Sequence, residues 1–355
     1  MSSGTDVQSA VTHQVRRRDP VPLGAGILAA AAGALVLAAM NGSYLGLTVT
    51  TGVGYAIVTV GMVLQLGYSR QLAFSQSVFM GLGAYGTGVL ETKYGFSSVE
   101  SLLAVIGLAA VAALLIGAVV TRAPGLALAL ATLLMPLFIY QLATYSNWLG
   151  SFSGINGVLP LLTGADYTAT LVQSGIVCAV LLGIAAAIVL RVIRSGVGLQ
   201  LMAMAEDERL AESLGISLRQ RRLEVFVIGS VLAAVGGAAI ASVQGLVTPD
   251  VLSETTQITL LLMVFVSGRK SIAGAILGAI VIEYLTTSTS FISTNIGIIE
   301  GIALLVILLV EPDGAAGAVD RLLGRRTDQW AAALRARVSA GRPARGARGG
   351  GGSGA

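Results

Sequence analysis

Charge, histidine, cysteine and aromatic residues are all in short supply in this chain, and each shortage removes a class of function. Only 11% of the 355 residues are charged while 55% are hydrophobic, against about 25% charged in an ordinary soluble domain. A soluble globular fold is thereby excluded and a polytopic membrane protein follows. The one cysteine, Cys178, lies inside an apolar run at 170–190, and a single thiol builds neither a disulfide framework nor a cysteine metal site. It reads as a small core residue. The one histidine, His13, stands in a polar N-terminal stretch beside Arg16, Arg17 and Arg18, which leaves none for acid–base chemistry in the apolar body. Aromatics at 5% leave only thin interfacial belts. No cofactor, metal or nucleic-acid site is expected.

What is abundant is glycine, with 46 residues, and this suits helices that pack backbone to backbone in lipid, where small residues at the contact replace a hydrophobic driving force. Crossing a hydrocarbon core of about 30 Å takes about 20 apolar residues. Runs that meet or approach that length fall at 23–40, 45–66, 72–90, 102–120, 125–145, 170–190 and 225–247, with three more at 251–266, 272–287 and 296–310. The first run follows three arginines, but it is long for a signal peptide and lacks a small-x-small cleavage site, so a retained first helix is expected. Arg269 and Lys270 interrupt the apolar stretch 251–287. A charge at the bilayer centre costs about 2.5–3.5 kcal/mol, so the chain should turn there and split the stretch into two short spans.

The expected fold class is an all-α polytopic membrane protein of about ten transmembrane helices with both termini cytoplasmic. The positive-inside rule sets that orientation: the loops at Arg70, at Arg122, at 191–222 and at Arg269 and Lys270 then face the cytoplasm with both tails, and of the 22 Lys and Arg only Lys93 falls outside. Three regions result: a cytoplasmic N-terminal tail at 1–22, a transmembrane domain at 23–312 enclosing a cytoplasmic loop at 191–222, and a basic tail at 313–355. The end of that tail, rich in Ala, Arg and Gly, is expected to be disordered. Its arginines are open to solvent or to anionic lipid.

The internal loop carries the most information. Residues 198–216 read GLQLMAMAEDERLAESLGI, helix formers throughout with Gly215 placed as a stop. At about 100° per residue Ala203, Leu210 and Leu214 share one side, with Glu208 and Glu212 opposite. A short amphipathic helix is expected. One lying on anionic lipid wants Lys or Arg on its polar face, whereas this face is acidic and suits a protein partner.

Three segments carry a family resemblance. AMAEDERLAESLGI, with the basic stretch and the helix LEVFVIGSVLAAVGGAAIASVQGLVTPD that follow it, resembles the permease subunits of branched-chain amino-acid ABC transporters, and within them the M-type permease. GYSRQLAFSQSVFMGLGAYGTGVL at 67–90 resembles the second signature of that family, with Gly67, Tyr68, Gln71, Leu72, Gly81, Gly83, Ala84 and Tyr85 in place and Ser75 and Gln76 where Gly-His is usual. LLVILLVEPDG, ending at Gly314, resembles its closing helix. SGRKSIAG at 267–274 departs from the family's Gly-rich turn after the eighth span.

The resemblance implies an ABC importer permease fold in a bacterial cytoplasmic membrane. It implies as partners ABC ATPase subunits, a second homologous permease, an extracytoplasmic substrate-binding protein and membrane lipid. By position, Glu206, Asp207, Glu208, Leu210, Leu214 and Gly215 would form the element that couples to the ATPase. Branched-chain or other aliphatic amino acids come first as cargo, with urea, amides, sugars and nucleosides open as alternatives.

Gly268, Lys270 and Ser271 hint at a phosphate-binding loop, but that motif needs Gly directly before Lys and a preceding strand. With no nucleotide site in the chain, the ATP used is a partner's. A second reading, an ion-coupled transporter, wants acids or histidines near the midplane, and the intramembrane acids Glu283 and Glu300 both map toward outer helix ends. The outer loop at 146–161 offers Asn147, Ser153 and Asn156, neutral donors and acceptors that suit a zwitterion or simply a flexible turn. Candidates for the translocation path or its outer mouth are Gln71, Gln76, Asn147, Ser153, Asn156 and Glu283. Two Gly-x-x-x-Gly pairs, Gly274/Gly278 and Gly297/Gly301, would allow the last two helices to approach closely.

The orientation is testable by labelling. In a Cys178→Ser background, cysteines placed at Ser97 and Ser153 should react with an impermeant thiol reagent applied to intact cells, and one at Ser217 should not; reaction at Ser217 would invert the topology.

Overall fold

The computed structural model describes residues 44–71, 74–120, 125–164, 166–268, 270–288 and 295–310. The expected first span, His13, Leu72, Arg122, Arg269 and both tails lie outside them. Helix α1 (Tyr44–Met62) continues as a π-helical turn at Val63–Tyr68 and is followed by α2 (Gln76–Tyr94), α3 (Ser98–Val120), α4 (Gly125–Tyr145) and α5 (Tyr167–Arg194). Two short helices, α6 (Gly196–Glu206) and α7 (Glu208–Ser213), lead into α8 (Leu218–Gln244), α9 (Glu254–Ser267), α10 (Ile272–Ser288) and α11 (Ile296–Val310). Among the described residues the only sheet is a two-residue antiparallel pair, β1 (Ile155–Asn156) with β2 (Leu246–Val247), in the register Ile155↔Val247.

Among the described residues four helical stretches, Leu45–Tyr68, Ser98–Val120, Tyr167–Arg194 and Leu218–Gln244, are long and apolar enough to cross a membrane. α9, α10 and α11 are shorter apolar helices. The expected turn between α9 and α10 is present: α9 stops at Ser267, Gly268 takes φ +97°, and α10 starts at Ile272. α2 runs later than its apolar run, because Gln76, Ser77, Glu91 and Thr92 enter the helix while Phe74 and Ser75 do not.

α8 is the axis of the bundle, lying between α1 and α2 and reaching α3 as well. Its inner contacts are made by main chain. A Cβ at Gly83 of α2 would collide with the Ala234 carbonyl oxygen of α8, and one at Gly237 of α8 would collide with the Met80 carbonyl oxygen of α2. On the other side Gly236 meets Val58 and the Gly54 carbonyl of α1. Helices that carry no side chain at the crossing gain dispersion contact along their whole backbones, the packing that works where lipid is as apolar as leucine.

The outer helices invert the soluble pattern. α3 buries the small stripe Val105, Ala109, Ala113 and Gly117 and exposes Leu108, Val111, Leu115 and Val119. Large aliphatics lie outward because the surrounding medium is itself expected to be apolar. Cys178 is fully buried in α5, as its small size suits. Of the two Gly-x-x-x-Gly pairs, Gly274 and Gly278 do pack closely, but on Ser267 and Met263 of α9, while nothing lies within 4 Å of a Cβ at Gly297 or Gly301. The expected pairing of the last two helices is corrected accordingly: α11 lies on α9, which takes the close contact from both.

Gly83→Val and Gly237→Val should each lower the melting temperature of the purified protein in detergent, since overpacking against fixed backbone costs about 1–3 kcal/mol. Gly183→Ala, where no atom lies within 4 Å of the new Cβ, should leave it unchanged or slightly raised. Indistinguishable melting of all three would refute backbone packing as the organising contact.

Candidate functional site

The functional candidates fall at the two ends of the bundle and at a break between α1 and α2. The basic end gathers Arg70, Arg191, Arg194, Arg209, Arg219, Arg221, Arg222 and Lys270, and the opposite end holds Lys93, alone among the described Lys and Arg.

At the basic end the segment read as one amphipathic helix is two. Asp207 adopts φ −150° and breaks it, and the Asp207 carboxylate then caps α7 by accepting from the backbone N–H groups of Arg209 (2.9 Å) and Leu210 (3.1 Å). A side chain that can satisfy orphan N–H groups competes with helix continuation, which is why Asp favours caps over helix interiors. The break resets the helical phase, so the expected alignment of Ala203 with Leu210 and Leu214 across one wheel does not hold. α7 closes on a Schellman turn: Ile216 N–H donates to the Ala211 carbonyl at 3.1 Å, Gly215 N–H donates to Glu212 at 2.9 Å, and Gly215 takes φ +81°. Glu208 is ion-paired with Arg222 at the start of α8.

Leu201, Met204 and Ala211 bury one side of this element against the bundle, while Leu210 and Leu214 are 59% and 70% exposed. Glu206, Asp207 and Glu212 are exposed around them. The arrangement presents two exposed leucines rimmed by acids. Beneath it a small pocket is lined by Gly67, Tyr68, Arg70, Met202, Ala205, Glu206 and Lys270, and α6 runs close to the π-helical turn that follows α1. Arg70 holds a left-handed φ of +48° there, a conformation that costs a non-glycine residue energy and clusters at functional sites.

The break between α1 and α2 is polar and buried. Gln65, inside the π-helical turn, donates to the Phe226 carbonyl of α8 at 3.2 Å and accepts from Gln76 Nε2 at 2.5 Å. Its backbone carbonyl accepts from the N–H of Gln71 at 3.0 Å. Gln257 of α9 accepts from the N–H of Ser77 at 3.0 Å. The structure thus brings together two of the expected path residues, Gln71 and Gln76, and adds Gln65, Ser75, Ser77 and Gln257. The signal for Gln65 and Gln257 was present as an uncharged polar residue inside an apolar run.

The remaining candidates lie elsewhere. Asn147, Ser153 and Asn156 are exposed in the loop after α4. That loop is built from two short helical turns, Asn147–Leu149 and Ser151–Ser153, and from β1. Glu91, which the sequence placed just beyond a span, is buried and pins the loop by accepting from Ser101 Oγ and the Leu159 N–H, both at 2.7 Å. Lys93 stacks on Trp148, 4.6 Å from the ring centroid. Glu283 is half-buried in α10. Glu300 is fully buried and accepts from Thr259 Oγ1 at 2.8 Å.

Comparison with known proteins covers most of this architecture. The family described as the branched-chain amino acid transport system / permease component matches residues 44–310. The high-affinity branched-chain amino acid transport system permease protein LivM of Escherichia coli is 27% identical over 253 residues, 64% of this chain and 59% of that protein. Its counterpart of the same name in Salmonella typhimurium is 25% identical over 252 residues, with the same shares covered. The permease protein LivH of Escherichia coli is 30% identical over 125 residues, 35% of this chain and 40% of that protein. The chain therefore spans less than two thirds of the length of these curated relatives. No solved structure matches. Because the family match runs from α1 to the end of α11, taking in the α6–α7 element, the polar break and the outer loop, the chain belongs to the family of permease components of branched-chain amino acid transport systems.

Proposed function

We propose that the chain is the membrane-spanning permease subunit of an ATP-binding-cassette importer in a bacterial cytoplasmic membrane, carrying branched-chain or other aliphatic amino acids. It forms part of the translocation path and is driven by a separate ATPase seated on α7. The observation that carries this reading is the α6–α7 element: two exposed leucines, Leu210 and Leu214, fixed by an Asp207 cap, a Gly215 turn and the Glu208–Arg222 pair, at the end of the bundle where positive charge collects. Compact apolar anchors with a polar rim are the form taken by the few residues that dominate an interface.

The positive-inside rule puts that end in the cytoplasm, and the region 23–40 would complete about ten spans with both termini inside. The opposite end, with the loop stapled by Glu91 and Lys93, is where a substrate-binding protein would dock. Two differently named permease proteins of one transport system, LivM and LivH, both resemble the chain, which supports a second homologous permease beside it. The curated names of these relatives favour branched-chain amino acids over urea, amides, sugars or nucleosides as cargo.

Leu210→Ala with Leu214→Ala should weaken ATPase association by about 2 kcal/mol or more, roughly thirtyfold, and uncouple hydrolysis from uptake. Binding-protein affinity for the opposite face should stay at the wild-type value. Arg222→Ala should cost less than about 1 kcal/mol, as expected of a half-exposed ion pair. ATPase co-purification and ligand-stimulated hydrolysis read the outcome; normal values for the double variant would reduce α7 to a surface helix.

A further inference from the structure

At the break between α1 and α2, Gln71, Ser75, Gln76, Ser77 and Gln257 are each more than nine-tenths buried. Six of their polar atoms have no hydrogen-bond partner: both amide atoms of Gln71, the hydroxyls of Ser75 and Ser77, Gln76 Oε1 and Gln257 Nε2. Buried polar side chains are satisfied in the large majority of cases, so a concentration of this kind at one point is a property of that point. The spot also lies well inside the bundle. Phe74 N–H donates to Thr132 Oγ1 at 3.0 Å, and Thr132 is seven residues into α4, about 10 Å along the helix at 1.5 Å per residue. Gln71, Phe74 and Ser75 are nonetheless non-helical. Irregular backbone at membrane depth is tolerated where protein covers it or where it lines an aqueous cavity.

The chemistry of the set is specific. Every member is neutral, and both kinds of hydrogen-bonding capacity remain: amide and hydroxyl oxygens that accept, amide and hydroxyl hydrogens that donate. Ser75 is the N-cap of α2, a 19-residue helix whose positive end lies at the set and favours a carboxylate there, though the Ser77 N–H is already taken by Gln257. Unlike a fixed ion pair, a neutral site can engage an ammonium and a carboxylate without trapping them, as passage requires.

We propose that Gln71, Ser75, Gln76, Ser77 and Gln257 form a polar station on the translocation path, engaged by the ammonium and carboxylate groups of an α-amino acid as it crosses. The proposal rests on the importer reading and deepens it. Gln65 ties the station to α8 through the Phe226 carbonyl, and a pocket shared by Arg70 and Glu206 brings the end of α6 near Arg70, the residue before Gln71. The driven end and the cargo site are thus neighbours.

The test uses the complete transporter in proteoliposomes, with its ATPase, second permease and binding protein, and L-leucine as the probe. In a Cys178→Ser background, Ser77→Cys should react with 2-aminoethyl methanethiosulfonate about tenfold faster during ATP-driven leucine uptake than at rest, because the station opens only in turnover. Gln257→Leu should lower the maximal uptake rate about tenfold, the loss expected when a buried hydrogen-bonding partner is removed, with ATPase retention and binding-protein affinity unchanged. A cysteine at 77 that stays inert in a transporting complex overturns the proposal even if Gln257→Leu fails to assemble, and so does wild-type leucine uptake by Gln257→Leu. Absence of ATP-driven leucine uptake by the wild-type complex would instead refute the importer reading.

Discussion

The rest of the molecule depends on the close approach of α8 to α1 and α2. At Gly83 and Gly237 the helices meet as bare backbone, and Gly236 fits against the Gly54 carbonyl and the Val58 side chain, which brings the axes nearer than an aliphatic side chain at these positions allows. Glycine inside a helix costs about 1 kcal/mol relative to alanine, and the backbone contact it permits has to outweigh that cost at each crossing. The same closeness creates the polar break. Gly229 leaves room for the Gln65 side chain, which a Cβ there would strike, and Gln65 uses the room to reach the Phe226 carbonyl one turn earlier in α8. A larger residue at 229 would push Gln65 away and remove the link between α1, α2 and α8.

The distribution of side-chain size follows from the same constraint. Small residues have to face inward for the backbones to meet, so leucine and valine are left to the periphery, as α3 shows with Ala109 and Ala113 inside and Leu108 and Leu115 outside. The buried leucines and phenylalanines instead fill the wider spaces, Phe79 against Phe226 at 5.6 Å and edge-on, and Leu260 and Met263 where α9 meets its neighbours.

Much of this is legible in the amino-acid sequence because length and hydropathy act locally. The helix at Gly125–Tyr145, the start of α11 at Ile296 and the turn forced between α9 and α10 all follow from where apolar residues give way to polar or charged ones. What is not legible depends on partners distant in the chain. The π-helical turn at Val63–Tyr68 arises where Gln65 bonds a residue 161 positions away. Glu91 lies one residue past the expected span at 72–90, and its burial depends on Ser101 and Leu159 donating to its carboxylate. The break at Asp207 is local and was open to reading, since Asp before Glu-Arg-Leu is a helix-cap signal. Continuous helix formers on both sides hid it, and with it the phase of Leu210 and Leu214.

Under the proposed seating of an ATPase on α7, the position of that break decides how force would pass into the bundle. One unbroken helix from Gly196 to Ser213 would act as a lever and move both ends together. With Asp207 as a joint, α7 is held by Ala211 burial, the Schellman turn at Gly215 and the Glu208–Arg222 pair, all of which refer it to the start of α8. α6 is held separately, by Leu201 and Met204 in the core, and its end faces Tyr68 and Arg70 across the small pocket. A half-exposed ion pair contributes little holding energy, so the apolar contact and the turn keep α7 in place, and the pair sets its direction. Displacing α7 would therefore act first on α8, whose Phe226 carbonyl holds Gln65. α6 meets the same break from the other side, at the strained Arg70. Two contacts converge on this break, one through α8 at Gln65 and one through α6 near Arg70, and the Gln71 side chain within it, with no hydrogen-bond partner, adds nothing to hold it.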